Sequence, residues 1–438
     1  MKIVKFNQPI LVIAAVMVLG TISCSKELDY DKERFEKYRK RVSPVDSVDW
    51  NHTWQLAVSR TYQFTVNANV GAQRLEIYSD NPITSTEAEL MGRAYVKDGE
   101  QLTLSVSVPN LLTTLYAALV DKDGTYTVTS FGSMEHYVDF TDPIATKQKP
   151  RLASPNIMAY TYCYEENFPE AGDYDFNDLV MRIGLERTGQ KQIDVHLTLS
   201  AVGSQRQIAG AIRLVGYRYQ DIDSVVAKGG KTLNVNVPKL SYGLLPNDKI
   251  LQEGKNGTGK KGTGEAVINL FVDAHWAIGD DIETVNDDFK RLKYNVMRSF
   301  NDPYDQTYAK SVDFTIYFKN EGGLNNLTHE MIDPFIMTYY MANRIEVHLD
   351  EFRDAQTFYN YDAIEFKDIP WALKIPSRYF RYPLEGCQIG FRKRTEEGTV
   401  AMFGAYMTLG HSFGEWVENQ KVCQDWYLEE YATANQVW

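Results

Sequence analysis

Four residues with oxygen-bearing side chains lie close together in one short segment of the sequence. Asp173, Asp175 and Asn177 alternate with aromatic residues, and Asp178 follows directly. Because side chains at alternate positions of a tight loop converge, this spacing suits Ca²⁺, which takes roughly six to eight oxygen ligands. With one carboxylate from the preceding strand, we predict a calcium site formed by Glu166, Asp173, Asp175, Asn177 and Asp178.

This segment differs from an EF-hand. Asp178 replaces the glycine of the sixth position, and Gly184 at the twelfth cannot supply a carboxylate. The following residues alternate as a strand does, so we expect a calcium loop set into a sheet, with Glu165 as an alternative ligand to Glu166. The metal would have a structural role, because close carboxylates repel one another without a cation. An acidic solvated turn is the other interpretation, and zinc is disfavoured because only Cys163 lies nearby.

The N-terminus has the pattern of a secreted lipoprotein. Two lysines precede the apolar run Ile10–Ile22, which is too short to span a bilayer comfortably. Small residues and then Cys24 follow, and this resembles a bacterial lipobox except that Thr21 stands where leucine is usual. We therefore predict a signal peptide over residues 1–23 and lipidation of Cys24, with an ordinary secretory signal as the alternative.

Residues 24–46 are charged and have little apolar periodicity, so we predict a tether between the lipid and a folded body. The acidic stretch directly behind Cys24 resembles a surface-export signal of some Gram-negative bacteria. We expect a protein that is anchored in the outer membrane and exposed at the cell surface. Its predicted membrane contact is the lipid.

Strand-like alternation dominates the rest of the chain. Tyr, Phe and Trp make up 13% of the residues, and short runs of β-branched and aromatic residues are separated by Gly, Asn and Asp turns. We predict an all-β protein with two antiparallel β-sandwich domains over residues 47–148 and 155–438. The second would be larger and jelly-roll-like, with few short helices. Residues 178–200 read as a hairpin with its turn at residues 188–189.

Four blocks of the second region resemble the LruC-type domain of bacterial surface lipoproteins. The first block contains the acidic loop, and the others lie further along the chain at residues 333–349, 369–385 and 413–427. A longer Gly/Pro-rich pattern is usual in the second block and is reduced here. The resemblance implies a cell-envelope lipoprotein and a metal-binding loop. It implies no established reaction.

Several classes of function are disfavoured. The net charge is −12, and we identify no basic patch with interleaved aromatics, so nucleic acid is not an expected partner. The segment 254–261 approaches a P-loop, but Lys261 stands where Ser or Thr must bind Mg²⁺, so no nucleotide is expected. The histidines are dispersed, and we predict no catalytic residue and no enzyme.

Two further questions stay open in the sequence. If Cys24 is lipidated, Cys163, Cys387 and Cys423 remain, and at most one disulfide can form among them. We expect a non-enzymatic surface adhesion or structural binding module. The alternative is a glycan-binding protein for nutrient capture, because aromatic rings that can stack on sugars are concentrated in the C-terminal third. These rings are Tyr359, Tyr361, Trp371, Tyr379, Tyr382, Trp416 and Trp426.

Overall fold

A computed structural model describes most of the chain. The described residues are 30–66, 70–140, 147–234, 243–247, 249–254, 264–279, 291–297, 309–359, 368–390, 392–394, 400–402 and 404–438. The predicted signal peptide and Cys24 lie outside these residues, as does most of the segment 254–261. Among the described residues, no helix combines the length and apolarity that crossing a bilayer requires.

In the described part of the chain, three short α-helices begin at side-chain caps. Helix α1 (Lys32–Val42) begins where Asp31 accepts a hydrogen bond from the backbone N–H of Arg34 at 2.9 Å. Helix α2 (Ala274–Ile278) is capped by Asp273, and α3 (Phe413–Glu418) by a reciprocal pair of hydrogen bonds between Ser412 and Glu415. Such caps satisfy backbone donors that the first turn of a helix leaves unpaired.

Strands are the main regular secondary structure of the described residues. In chain order they are β1 (Ala57–Thr65), β2 (Ala72–Tyr78), β3 (Glu89–Tyr95), β4 (Gln101–Pro109), β5 (Thr114–Asp121), β6 (Tyr126–Gly132), β7 (Tyr137–Asp139), β8 (Asn156–Ile157), β9 (Ala159–Tyr164), β10 (Leu179–Gly189), β11 (Gln192–Ala201), β12 (Ala209–Arg218), β13 (Ile222–Ala227), β14 (Leu251–Glu253), β15 (Glu265–Phe271), β16 (Lys310–Phe318), β17 (Ile332–Tyr340), β18 (Asn343–Val347), β19 (Ala372–Ile375), β20 (Arg392–Arg394) and β21 (Val400–Met402).

These strands form four main sheets. The first has three strands in the order β4-β1-β7, and the second has five in the order β6-β5-β2-β3-β8. The third has six strands in the order β13-β16-β11-β10-β9-β19, and the fourth has five in the order β14-β15-β12-β17-β18. Strands β20 and β21 pair separately as a two-stranded ribbon. The predominance of β-structure in the described chain agrees with the composition.

The prediction of two β-sandwich domains, the second jelly-roll-like, is wrong. The strands are divided among four small sheets in a four-blade arrangement. Contacts also connect the regions on either side of residue 150, since β8 pairs with β3 and Arg93 forms a 2.7 Å ion pair with Glu186. Alternation along a strand shows which side chains are buried, but it does not show which strands pair. The domain boundaries at residues 148 and 155 stay a prediction.

Burial on both faces explains why a two-layer description fails. A sandwich strand normally has one face towards solvent, whereas every residue of β9 after Ala159 is buried and β17 is buried at all but one position. The core of the third and fourth sheets also includes residues from both ends of the chain, such as Phe35 in α1 and Trp426. A smaller core lies between the first and second sheets.

The predicted hairpin of β10 and β11 is confirmed, although its turn lies at residues 190–191 and not at 188–189, and it positions the acidic loop. Leu179 begins β10 and pairs with Tyr164, the last residue of β9, so both ends of the loop 165–178 are fixed in neighbouring strands of one sheet. Buried residues such as Met181 and Ile183 anchor β10 in the core, and each has less than 1% of its surface exposed. The loop therefore leaves and re-enters a rigid sheet.

Candidate metal centre

The acidic loop has an unusual backbone conformation. Tyr174 and Phe176 have φ values of 63° and 53°, in the left-handed region that bulky residues rarely occupy. Both aromatic side chains are buried, and the backbone carbonyl of Tyr174 accepts a hydrogen bond from Ile389 at 2.7 Å. Burial of these rings and contacts to the C-terminal segment offset the cost of this conformation. The aromatic residues between the acids therefore hold the loop in place.

Three carboxylates converge at this loop. Glu165, Asp173 and Asp175 each offer an oxygen atom, and these atoms all lie within 4.8 Å of one another. Glu165 and Asp175 are each only 1% exposed, whereas Asp173 is exposed. The cluster therefore has two buried carboxylates and one that is open to solvent, through which an ion can reach it.

Glu165 is held so that one of its oxygens has no partner. Its Oε1 accepts a 2.6 Å hydrogen bond from the backbone N–H of Phe176, while its Oε2 is buried and receives no hydrogen bond. A Cβ atom added to Gly172 would lie 1.7 Å from this Oε2. A side chain at position 172 would therefore displace the carboxylate of Glu165. A buried carboxylate oxygen without a donor is costly unless a cation or a proton satisfies it.

Asp175 connects the loop to the C-terminal segment. Its Oδ2 accepts a 2.8 Å hydrogen bond from the backbone N–H of Gly386, and its Oδ1 accepts a longer one of 3.3 Å from Asn177. Burial raises the pKa of Asp175 well above its usual range, and the nearby Asp173 carboxylate adds to the shift. Burial likewise raises the pKa of Glu165, with further contributions from Asp178, Asp173 and Asp175.

The remaining predicted ligands lie around this cluster with partners of their own. Glu166 accepts a hydrogen bond from the Ser204 hydroxyl and lies 3.4 Å from the Arg206 guanidinium. Asp178 accepts a 2.8 Å hydrogen bond from the backbone N–H of Glu166 through Oδ2. Burial raises the pKa of Asp178 well above its usual range, and Glu166 contributes further. Glu166 and Asp178 thus neighbour the three-carboxylate cluster without belonging to it.

Asn177 supplies a second buried oxygen without a donor. Its Nδ2 donates to the backbone carbonyl of Pro383 at 3.2 Å, whereas its Oδ1 has no hydrogen-bond partner. The backbone of Gly203 packs against this amide, since a Cβ there would lie 2.2 Å from Oδ1. This amide is completely buried and ties the loop to two other segments.

The sequence pointed to Glu166, whereas the structure places Glu165 within the cluster. Glu165 directly follows β9, and its backbone N–H donates to Trp371 in the neighbouring segment at 2.8 Å. Its side-chain Oε2 lies next to Gly172. Sequence alternation could not distinguish the two glutamates, because it does not define where a strand ends. The signal that could have favoured Glu165 is Gly172, the one residue type that leaves room for it.

These oxygens have the chemistry of a hard-cation site. Carboxylate and amide oxygens are preferred by Ca²⁺, and flexible coordination suits a set that mixes buried and exposed groups. Zn²⁺ prefers histidine nitrogen and cysteine sulfur. The nearest cysteine in sequence, Cys163, is buried in the core of the third sheet. The donor set therefore fits calcium better than zinc, and the five predicted ligands stay a prediction.

A second group of carboxylates lies in the fourth sheet around His348. Its Nδ1 lies 2.8 Å from Asp333 and its Nε2 lies 3.0 Å from Glu346. The imidazole has no exposed surface, and its ring stacks on Phe335 with centroids 4.6 Å apart. Both ring nitrogens are occupied by carboxylates, so this group resembles a buried ion cluster more than a reactive site.

The other candidates can also be placed. Cys163, Cys387 and Cys423 are free thiols, so no disulfide joins the cysteines of the described residues. Among the C-terminal rings, Trp416 and Trp426 are almost completely buried, and Tyr379 is 59% exposed. Tyr361 lies outside the described residues. Most of the described rings fill the core instead of forming an exposed platform.

Together, the sheets and the acidic loop define a mostly β protein with a candidate cation site. Residues 191–392, just under half of the chain, match a family described as a domain of unknown function, DUF4842. This match does not support the LruC-type assignment made from the motifs. No curated protein matches the chain.

One solved structure is similar to this chain. It is described as a "putative lipoprotein from Bacteroides ovatus", with a TM-score of 0.47 and 16% sequence identity. The similarity covers 83% of this chain and 99% of the other.

Proposed function

We propose that this protein is a lipid-anchored cell-envelope protein whose acidic loop binds Ca²⁺ in a structural role. The observation that carries the calcium proposal is the convergence of Glu165, Asp173 and Asp175, with the buried Oε2 of Glu165 left without a donor. A divalent cation would neutralise these carboxylates and satisfy that oxygen. Glu166, Asn177 and Asp178 would complete the site directly or through water.

Calcium would fix more than the loop itself. Asp175 holds the backbone of Gly386, and Asn177 holds that of Pro383, so both ligands also contact the C-terminal segment. Neutralising the loop would therefore stabilise the junction between the third sheet and residues 383–386. Because only the folded chain brings these ligands together, bound calcium adds to stability by about 2.7 kcal/mol at a hundredfold excess over Kd.

The anchor is proposed on the N-terminal sequence. The apolar run, the small residues and Cys24 fit a lipidation signal, and several acyl chains give stable anchoring at about 0.8 kcal/mol per buried CH₂. The similar structure from Bacteroides ovatus is itself described as a "putative lipoprotein". We place the protein in the outer membrane of a Gram-negative bacterium, exposed at the surface. The LruC-type resemblance remains part of this proposal.

For the exposed body we propose a non-enzymatic adhesion or structural binding role. His348 lies between Asp333 and Glu346, is buried, and has both imidazole nitrogens engaged by these carboxylates, so neither nitrogen is available to activate a nucleophile. The alternative of glycan binding receives less support, because rings such as Trp416 and Trp426 pack in the core. An exposed ring such as Tyr379 does not by itself form a stacking platform.

Direct titration with Ca²⁺ tests the calcium proposal. Asp175→Asn keeps the shape of the side chain but removes a central charge, so it should weaken calcium binding by at least about tenfold. Asp313→Asn is the matched control, because Asp313 lies on β16, outside the loop, and pairs with His196 of β11. Isothermal titration calorimetry should show one site in the wild type and in the control. Equal affinity in all three proteins would refute the assignment of Asp175.

Cell fractionation tests the anchor. Cys24→Ser removes the thiol that would carry the lipid, so the variant should leave the membrane fraction and remain in the soluble envelope fraction. Cys423→Ser, which changes a free thiol on the folded body, should leave membrane association unchanged. Labelling of the wild type with a radioactive fatty acid should depend on Cys24. Tight membrane association or labelling of the Cys24→Ser variant would contradict lipidation at this residue.

A further inference from the structure

Helix α1 carries a positive charge that contrasts with the rest of the protein. Its sequence KERFEKYRKRV contains six basic and two acidic side chains, although the whole chain has a net charge of −12. Lys37, Lys40 and Arg41 have exposed side chains, as does Arg34 one turn earlier. A positive surface on an otherwise acidic protein orients that protein in an external field.

The helix is fixed to the folded body along its opposite face. Phe35 is 4% exposed, and its ring lies 6.4 Å from that of Trp371. Arg39 forms a 2.6 Å ion pair with Asp368, and the backbone carbonyl of Val42 accepts a hydrogen bond at 2.7 Å from the side-chain amide of Gln388. Positions 35, 39 and 42 form one helical stripe. The basic side chains therefore point away from the body in a defined direction.

The helix also lies close to the proposed anchor. Tyr30 is the first described residue, and its ring lies 5.7 Å from that of Phe35. Six residue steps separate it from Cys24, and even a fully extended chain covers about 20 Å over that length. If Cys24 is lipidated, Tyr30 cannot lie further than about this distance from the bilayer surface, and α1 begins two residues later.

We propose that the exposed basic face of α1 binds the anionic headgroups of the membrane leaflet that holds the lipid anchor. This inference rests on the proposed lipidation for its geometry, but the charge of the helix does not depend on it. Anionic lipid surfaces attract Lys and Arg clusters next to a membrane anchor. A lipid and a basic patch together are a common pair of membrane signals.

Binding of this kind would orient the whole body. Because Phe35 and Arg39 fix α1 to the segment around Trp371 and Asp368, a membrane contact at α1 places that side of the protein next to the bilayer. The acidic remainder of the surface would be repelled by the same headgroups. The tether predicted for residues 24–46 would then include a folded contact whose charge sets the orientation.

Vesicle binding tests the proposal without the lipid. The probe is the mature chain from residue 24 with Cys24→Ser, which keeps every described residue. At low ionic strength it should sediment with vesicles of equal parts phosphatidylglycerol and phosphatidylethanolamine, but not with phosphatidylcholine vesicles. High salt should release it, because the attraction is electrostatic and screened. The triple variant Lys37→Glu, Lys40→Glu and Arg41→Glu should bind at least about tenfold more weakly.

A matched variant separates a local effect from a change in net charge. Lys97→Glu, Lys122→Glu and Lys310→Glu reverse three exposed charges outside α1 and should retain most of the binding. All the changed side chains are exposed, so melting temperatures should stay close to that of the parent. Equal loss of binding in both triple variants, or equal binding to both kinds of vesicle, would overturn the proposal.

The result is distinguishable from a failure of the anchor. If fatty-acid labelling shows no lipid on Cys24 but the vesicle assay still depends on α1, lipidation fails and the basic contact stands. If Cys24 is lipidated and the α1 variant binds vesicles as tightly as its parent does, the anchor stands and the basic contact is refuted.

Discussion

The acidic loop and the fourth sheet both bury carboxylates, but they provide very different partners for them. In the fourth sheet, Asp333 and Glu346 lie on either side of His348, and Arg213 donates to Asp333 at 3.0 Å. Burial alone lowers the pKa of an imidazole, but the two carboxylates outweigh it and raise the pKa of His348 to about 9. This group is neutralised by cations of its own chain.

The loop has no comparable internal cation. Among the described residues, no Lys, Arg or His forms an ion pair with Glu165, Asp173 or Asp175. Burial raises the pKa of Glu165 most, and the neighbouring carboxylates raise it further. Lys293 forms an ion pair with Glu385, and its electrostatic interaction with the loop carboxylates is weaker than this pairing. The difference indicates that the buried carboxylates of the fourth sheet are paired with cations of the same chain, whereas the loop requires protons or an external cation.

The largest expected effect comes from breaking the fourth-sheet cluster. His348→Ala removes the cation between two buried carboxylates and should destabilise the protein by about 3–5 kcal/mol. The loss should be the same with calcium and with a chelator, as measured by urea unfolding. His196→Ala is the control, because that imidazole is 30% exposed and should cost about 1 kcal/mol or less. A calcium-dependent loss in His348→Ala would connect two regions that we describe as separate.

A smaller effect of opposite sign is expected in the loop. Glu165→Gln removes a buried charge, so in a chelator it should stabilise the protein by about 1–3 kcal/mol. In calcium the same change removes a ligand, and the difference should disappear or reverse. Glu265→Gln, which removes the partner of Arg213, should be destabilising under both conditions. If Glu165→Gln destabilises the protein equally in both solutions, the carboxylate does not need an external cation.

The pH dependence of folding stability should also distinguish the two regions, through a gradual change. The raised pKa values of Glu165 and Asp175 mean that the folded state holds these protons more tightly than the unfolded state does. In a chelator, stability is therefore full below about pH 4 and declines as pH rises, by at most about 1.4 kcal/mol per pH unit and group. Calcium should remove this decline. Chemical unfolding across pH, with and without calcium, measures it.

The contribution of His348 in the fourth sheet to folding stability depends on pH over a different range. The pKa of His348 is raised from 6.5 to about 9, so its contribution is complete below about pH 6.5 and is lost as pH rises towards 9. Calcium should not change that loss. If the loss of stability that occurs only in a chelator began above pH 6.5, it would fall in the range of His348 and would contradict its assignment to the loop.

Part of this structure could be predicted from the sequence. The alternation of residues 178–200 predicted the β10–β11 hairpin, and the spacing of Asp173 and Asp175 placed both side chains in one cluster. These features depend on residues close together in the chain. Local periodicity carries that information directly.

Other features depend on contacts that local patterns do not contain. The positive φ values at Tyr174 and Phe176 follow from burial of their rings against distant segments. Helix α1 lies within residues that we expected to form a tether. Its packing was not predicted, because only Phe35 supplies a large apolar anchor in this helix. The four-sheet arrangement depends on pairings such as β3 with β8, which bring together residues on either side of residue 150.

The most direct test of the calcium-dependent loop is a thermal melt of the mature protein in calcium and in a chelator. We predict a higher melting temperature in calcium, a shift that grows with calcium concentration, and a much smaller shift in Asp175→Asn. Magnesium at the same concentration should have less effect, because it requires a more regular octahedral site. Identical melting curves in calcium and chelator would contradict the account and leave the loop as an acidic turn that folds with bound protons.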